Sequence, residues 1–419
     1  MTRGYGEIRS GHSGVVSNTR RMAIEFRTAT AEDAAEMFHV DGRNFGTSFT
    51  DEEIAERMPV MEWERMHIAL DRGRIVSAVG VATLDIGVPG GATLPMGGVT
   101  WVSTAATHRR MGLMRTLIDS AHADAAERGE PMTGLGASEA SIYGRFGYGT
   151  ATFSRQLKIA ARGAQLHPTM PDPGGVRFES EVATIRKHVE QLWERSRQRR
   201  AGEVSRSSAW WDLIMKVRSR AEDSSSPAFW LLHDEGYAAY RVEEKWDDAA
   251  PNHHLDVVEM VTLSTEADAA LWRVLLSIDL MSTIATRALP FDHPLPYWLA
   301  NQRAVRTTSV TDWVWLRPID PARVFAGRTY GAAGRLVIDV AGQVLAIDAP
   351  IADAPAVVTS TSDAPDLTIG LDAVAPLLMG SVDPFVLAAA GRIRGDVDAL
   401  RRAKAMCATD LAPYGQMMF

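Results

Sequence analysis

The feature that most limits how this chain can fold is a change of pattern inside one stretch. Residues Gly97 to Ala106 read Gly-Gly-Val-Thr-Trp-Val-Ser-Thr-Ala-Ala, an apolar and β-branched run of the kind that fills a buried strand. Apolar residues then recur at Leu113, Met114, Leu117, Ile118 and Ala121, which is helical spacing. The seam is Arg109-Arg110-Met111-Gly112. A strand that passes through glycine and basic residues into a helix start presents unpaired backbone N–H groups and a positive dipole end, and both suit phosphate oxygens. The stretch reads as a pyrophosphate cradle.

The order of these parts resembles the acyl-CoA loop of the GCN5-related N-acetyltransferases, Arg/Gln-x-x-Gly-x-Gly/Ala. Arg109 and Gly112 fit that pattern, and Met114 stands where its third small residue would be. Downstream comes Ala137-Ser138-Glu139-Ala140-Ser141-Ile142-Tyr143-Gly144-Arg145-Phe146-Gly147-Tyr148-Gly149. Thr-His-Arg-Arg followed at this distance by Ser-Glu-x-x-Ile-Tyr-Gly-Arg-Phe-Gly-Tyr-Gly closely resembles the enhanced intracellular survival (Eis) family of acetyltransferases.

At 419 residues the chain exceeds one ordinary core, so two or three domains are expected. No apolar run is long enough to cross a bilayer, and the first twenty residues carry Arg and Gly without an apolar signal core, which reads as a cytoplasmic protein without a membrane partner. Residues 1–21 lack periodicity and read as a disordered leader. The single cysteine, Cys407, excludes an internal disulfide and a thiolate zinc site made by this chain alone. A formal charge of −8 argues against nucleic acid and suits a polycationic substrate.

In chain order, Ile24 to Arg27 reads as a strand, Ala34 to Phe38 opens a helix, and a second helix spans Asp51 to Met61. Strands follow at Ile68 to Leu70, Arg74 to Ile86 and through the opening stretch. The helix after the cradle runs to about Arg128 and stops at Gly129, with Met132 to Leu135 as the next strand and 148–160 as the closing one. A Pro-rich break at His167 to Pro173 precedes a charged amphipathic helix, Glu179 to Arg200, with Trp210-Trp211 near it. Strands at Ala228 to Leu232, Gly236 to Val242 and Leu255 to Leu263, then a helix from Thr265 to Met281, echo the first domain without a second Arg-x-x-Gly cradle. A stiff connector, Leu289 to Trp298, leads to strands at Asp312 to Arg317, Arg335 to Val340, Gln343 to Ile347 and Asp366 to Leu371.

The resemblance implies an α/β (α+β) chain of two GCN5-related acetyltransferase-like domains, residues 22–160 with the acetyl-CoA site and 161–300 without one. A C-terminal domain like sterol carrier protein follows at 301–419. It also implies acetyl transfer from acetyl-CoA, a co-substrate, to primary amines of multi-amine small molecules such as aminoglycosides, or to protein lysines, by direct attack in a ternary complex. A homohexamer is implied as well, and no metal.

Arg109, Arg110, Gly112 and Leu113 would hold the pyrophosphate. Val102 and Thr104, two apart on one strand, offer main-chain groups to the pantetheine arm, and Ser138 joins the cofactor set. Tyr143 is the general acid: a phenol with pKa about 10 stays protonated at neutral pH and can protonate a thiolate whose conjugate acid lies near roughly 8.5. Tyr148 is the rival assignment. The base implied by the family is the α-carboxylate of the last residue, here Phe419. Phe45 follows Asn44 in a segment like the family's substrate lining, with Thr47 where an acid is often found; Glu139 and Asp292 are candidate acids. His108 orders the cradle, and His253-His254 point to opposite faces of a strand and make no metal pair. A carrier of lipids or small molecules, with a vestigial acetyltransferase part, is the alternative reading.

Overall fold

The computed structural model describes residues 24–222 and 224–419; the expected leader, residues 1–21, lies outside them. Its frame is two seven-stranded sheets and one five-stranded sheet. In the first sheet β1 (Ile24–Thr28), β2 (Met66–Asp71), β3 (Arg74–Gly87), β4 (Thr93–Thr104) and β5 (Met132–Gly136) lie side by side in chain order. Two helices, α1 (Ala34–Phe45) and α2 (Asp51–Arg57), separate β1 from β2, and α3 (Leu113–Glu127) carries the chain from β4 to the parallel β5. This is the element order read from the sequence. The second helix stops four residues early, because Pro59 turns its last part into a 3₁₀ turn.

The expected closing strand, 148–160, is two strands in different sheets. β6 (Gly149–Thr150) ends the first sheet, whereas β7 (Phe153–Ala160) belongs to the second. The reverse exchange occurs downstream, where Val305–Asp312 pairs with β7 in the second sheet and Val314–Pro318 inserts between β5 and β6 in the first. The two crossovers touch: the Ala151 N–H donates to the Val314 carbonyl at 2.8 Å and the Trp313 N–H to that of Thr152 at 3.0 Å. A cut at 160 or at 300 therefore severs a sheet, and the third sheet starts only after Pro318.

The second sheet also holds Met281–Leu289, His253–Thr262, Gly236–Glu243, Phe229–His233 and Arg177–Glu179, in that order away from β7. The helix expected from Thr265 to Met281 ends at Ser277, and a turn with Leu280 at φ 71° starts the strand Met281–Leu289. Strand His253–Thr262 buries alternate residues from His253 to Val257 and then all of Glu259 to Val261, and His253 is buried while its neighbour His254 is partly exposed, as opposite faces require. The long helix α5 (Val182–Arg199) lays Trp193 edge-on against Trp211 at 6.0 Å, both fully buried.

After α5, residues 201–205 form a strap. On one side it bonds to the end of β3, with the Gly202 N–H donating to the Gly87 carbonyl and the Ser205 N–H to that of Asp85, both at 2.8 Å. On the other side it meets the last residues of the chain, since the Tyr414 N–H donates to the Ala201 carbonyl at 2.8 Å. The C-terminal tail thus returns from the third sheet to the seam between the other two.

Candidate active site

β4 and β5 pair over only three positions, from Met96 with Met132 to Gly98 with Gly134. Beyond Gly98, β4 runs on to Thr104, while Leu135 and Gly136 of β5 keep only their far-edge partners, Trp315 and Val314. The edge of β4 from Val99 to Thr104 that faces the gap therefore has no strand partner among the described residues. A bulge sharpens the parting: Ser103 faces Ala78 and Thr100 faces Gly80, so Trp101 and Val102 together stand opposite Val79. Trp101 takes φ 52°, a left-handed conformation costing roughly 1–2 kcal/mol for such a side chain. Its ring is fixed against Phe38 of α1 at 4.7 Å.

The seam after β4 folds as a cradle. Gly112, at φ 83°, precedes α3, and the first bond of the helix runs from the Thr116 N–H to the Gly112 carbonyl, leaving the N–H groups of Leu113, Met114 and Arg115 without a helical partner. Arg109 and Arg110 are exposed around it, and Arg110 is itself left-handed at φ 66°. His108 sits between the Thr107 hydroxyl, 2.8 Å from Nδ1, and the Asp71 carboxylate, 3.4 Å from Nε2, which pins the loop to β2. Val102 is half-buried beside Leu113, and the Thr104 hydroxyl meets that of Ser77 at 2.7 Å. The residues expected to bind cofactor thus lie along the gap and its outer end, with Ser138 by its hydroxyl next to Tyr143.

The two tyrosines differ in what their hydroxyls do. Tyr148 is fully buried; it accepts from the Thr133 hydroxyl at 2.9 Å and faces His122 Nε2 at 3.0 Å, so both its hydrogen-bonding roles are used inside the core. Burial holds the phenol far above its usual range, and burial, with Arg317 nearby, pushes His122 down to about 3, so its ring is neutral and accepts the Tyr148 proton. Tyr143, at the end of the short helix α4 (Ala140–Tyr143), is buried in the same cluster as Val99, Leu113 and Leu135, residues at the parting of the strands and the start of α3. Burial raises its pKa, the Ser138 hydroxyl opposes the rise, and Glu139 adds to it.

The chain end lies on the other face of the same sheet. A Cβ placed on Gly98 would come within 3.1 Å of the Phe419 ring, and one on Gly136 within 3.0 Å of the Met418 side chain. A Cβ on Gly97, which points the opposite way, meets Ala125 of α3. Val99, on that second face, shares its cluster with Tyr143. Tyr143 and Phe419 therefore flank the β4–β5 opening from its two sides.

Of the acids considered, Asp292 is occupied: the Arg200 guanidinium donates to it at 2.8 and 3.0 Å, and the Ala412 N–H at 2.9 Å. Glu139 and Thr47 are exposed, and so is half of Phe45. The sequence reading passed over Asp41. It is buried on the face of α1 that carries Phe38 and Phe45, has no hydrogen bond or ion pair among the described residues, and is pushed up to about 6 by burial. An Asp three after Phe38 and four before Phe45, inside an apolar helix face, was the available signal. No cluster of three or more His, Cys, Asp or Glu suited to a metal occurs among the described residues, and no helix there is long and apolar enough to cross a membrane.

A parted pair of parallel strands opening onto a glycine-led helix start defines the class, a GCN5-related N-acetyltransferase. Residues 25–151 and 202–324 each match the acetyltransferase (GNAT) domain family, and 322–416 match the sterol carrier protein domain family. The chain belongs to the Eis family: it is 35% identical to N-acetyltransferase Eis of Mycobacterium bovis over 338 residues, 78% of this chain and 82% of that one. It is also 31% identical to an uncharacterized N-acetyltransferase of Streptomyces griseus over 378 residues, 86% and 90% of the two chains. The crystal structure of Eis1 from Mycobacterium abscessus superposes with a TM-score of 0.83 at 28% identity, covering 94% of this chain and all of that one. A GCN5-related N-acetyltransferase from Anabaena variabilis, 20% identical, shares the fold with a TM-score of 0.79 over 94% of this chain and 100% of its own. The protein is an acetyl-CoA-dependent N-acetyltransferase, and the GNAT fold implies acetyl-CoA as its co-substrate.

The buried His122 gives a pH test. Its folded pKa lies below the ordinary value of about 6.5, so the unfolded chain takes up a proton there first and stability is lost as pH falls from about 6.5 toward about 3. The difference in melting temperature between the unaltered protein and His122→Asn should shrink steadily from pH 7 to pH 4.5; a constant difference would show that this ring is not held neutral.

Proposed function

We propose that the protein acetylates primary amines of small molecules that carry several amino groups, aminoglycosides or lysine-bearing compounds among them, by direct attack in a ternary complex. The observation that carries this reading is the placement of Tyr143 and the chain end on opposite sides of the β4–β5 opening. Acetyl-CoA supplies the thioester, with its pyrophosphate at Arg109, Arg110, Gly112 and Leu113 and its arm along Val102 and Thr104. The Phe419 carboxylate takes a proton from the attacking amine as the C–N bond forms, and a backbone N–H of β4 past the bulge faces the oxygen on which negative charge develops. As the C–S bond breaks, Tyr143 gives its proton to the departing thiolate, which favours a phenol that burial keeps protonated. Tyr148, its hydroxyl spent on Thr133 and His122, serves the core.

The preference for several amino groups rests on Asp41. A carboxyl that burial has made hard to ionise is best compensated by an ammonium group, and Asp41 lies one helical turn from the exposed Phe45. It takes up the task that an acid at position 47 would have, a position filled here by Thr47. Assembly as a homohexamer and a cytoplasmic setting belong to the same reading, and apolar side chains left exposed at Phe178, Phe229 and Tyr297 favour self-association. The C-terminal domain's interior is filled by Phe325, Tyr330, Ile338, Leu345 and their neighbours, so its part in this reading is to deliver the chain end.

Release of free thiol from acetyl-CoA, followed across a panel of mono- and polyamines, tests the activity directly. Tyr143→Phe should lower kcat about 10²- to 10⁴-fold with acetyl-CoA binding retained. One glycine added after Phe419 should abolish turnover while acetyl-CoA still binds by calorimetry; full activity would remove the carboxylate from the mechanism. Asp41→Asn should raise KM for polyamines about tenfold and leave monoamines nearly unchanged. In the unaltered protein, polyamine KM should improve as pH rises through about 6, where Asp41 ionises.

A further inference from the structure

A terminal carboxylate is a poor base unless something fixes the flexible end that bears it, and the structure contains a device for this. The strap after α5 reads the tail almost residue by residue. Arg200 donates to the Ala412 carbonyl at 2.6 Å, the Tyr414 N–H donates to the Ala201 carbonyl, and a Cβ on Gly202 would stand 2.8 Å from the Tyr414 carbonyl oxygen. Glu203 comes next. Its Oε2 accepts the Gln416 N–H at 3.1 Å, and its Oε1 accepts those of Met417 at 3.4 Å and Val204 at 3.3 Å. Trp313 donates to the Met417 carbonyl at 3.2 Å, and the two remaining residues lie across the β4–β5 opening.

We propose that Glu203 is the positioning residue for the chain end: by accepting the N–H groups of Gln416 and Met417, it sets where the Phe419 carboxylate stands. The proposal rests on the reading of that carboxylate as the base. Three observations carry it. Glu203 is nearly fully buried, and a buried carboxyl with both oxygens engaged by backbone from another part of the chain is costly unless those contacts are needed. Packing alone does not fix it: Met417 is seated in the core, but a cavity of about 350 Å³, lined by Glu203, Tyr414, Gln416, Leu411, Asp268 and His293 among others, lies against the tail just before it, so on that side the backbone depends on its hydrogen bonds. The strap that bears Glu203 is bonded to β3, the neighbour of β4, so the tail is fixed to the sheet in which the opening lies. Burial pushes the Glu203 carboxyl up to about 8 against the pull of Arg206 and of the Gln416 and Val204 N–H groups, with Glu259 adding to the rise. Protonated or ionised, both carboxyl oxygens keep a lone pair for an N–H, whereas the amide nitrogen of glutamine has none and aims its own N–H at a donor.

The test is Glu203→Gln, read in three ways. The expected result is a kcat lowered at least tenfold with the KM for acetyl-CoA unchanged, together with release of Phe419 and Met418 by carboxypeptidase several-fold faster than from the unaltered protein. If the variant fails to fold, amide hydrogen exchange in the unaltered protein decides: Gln416 and Met417 N–H groups should be protected, and free exchange at both overturns the proposal. A variant with normal kcat and an equally resistant chain end also overturns it. The glycine-extended chain separates the two readings. If it is inactive while Glu203→Gln is normal, only the role of Glu203 falls; if it is fully active, the carboxylate mechanism falls whatever Glu203 does.

Discussion

Everything at this site depends on two parallel strands that pair for three residues and then part. Two parallel neighbours bonded along their whole length would leave no backbone group for a ligand, because each N–H and C=O would already be satisfied. The parting is tolerated here because β5 stays anchored on its other edge, where Val314–Pro318 runs antiparallel along its whole length. The cost is an unpaired edge on each strand beyond the parting and the strained Trp101, which is held by an aromatic cluster with Phe38 and Phe49.

The strand that fills beside β5 comes from more than 150 residues downstream, and it arrives because the two sheets trade segments at one crossing point. That crossing also brings Trp313 to the tail, whose last residues lie over Gly98 and Gly136. A Cβ at either position would crowd the tail, pressing on Met418 from Gly136 and on Phe419 from Gly98, where it would also run into Leu84. The first sheet, the strap and the tail are thus one mechanical unit. The third sheet contributes through the chain that it sends back to the opening.

Much of the site was legible from residue patterns. The glycine-led helix start at Gly112 and Leu113 could be read from the sequence because helix starts leave N–H groups free whatever surrounds them, and the element order of the first sheet followed from periodicity. The Tyr143 motif was legible through its likeness to a family. What periodicity did not reveal was the division of 148–160 between two sheets, since a strand's alternation is the same whichever partner it finds. Strand Val305–Asp312 was missed for a related reason: its half-exposed pattern, Val-Arg-Thr-Thr-Ser-Val-Thr-Asp, carries little apolar contrast. Asp41 and Glu203 escaped notice because a carboxylate in a sequence has the composition of a surface residue, and only its surroundings tell otherwise.

The sequence by itself determined the local chemistry: where a strand gives way to a helix with free donors, which phenol follows, and that the chain closes on an apolar aromatic residue. These depend on neighbours within a few positions, and the backbone obeys local sterics and hydrogen-bond geometry. Tertiary structure alone decided that Tyr143 and Phe419, 276 residues apart in number, flank one opening, that Tyr148 is spent on the core, and that Glu203 holds the tail. Such distinctions arise from burial and from contacts between distant segments, and no local pattern encodes them, because the energy of a carboxyl or a hydroxyl is set by what surrounds it after the chain has folded.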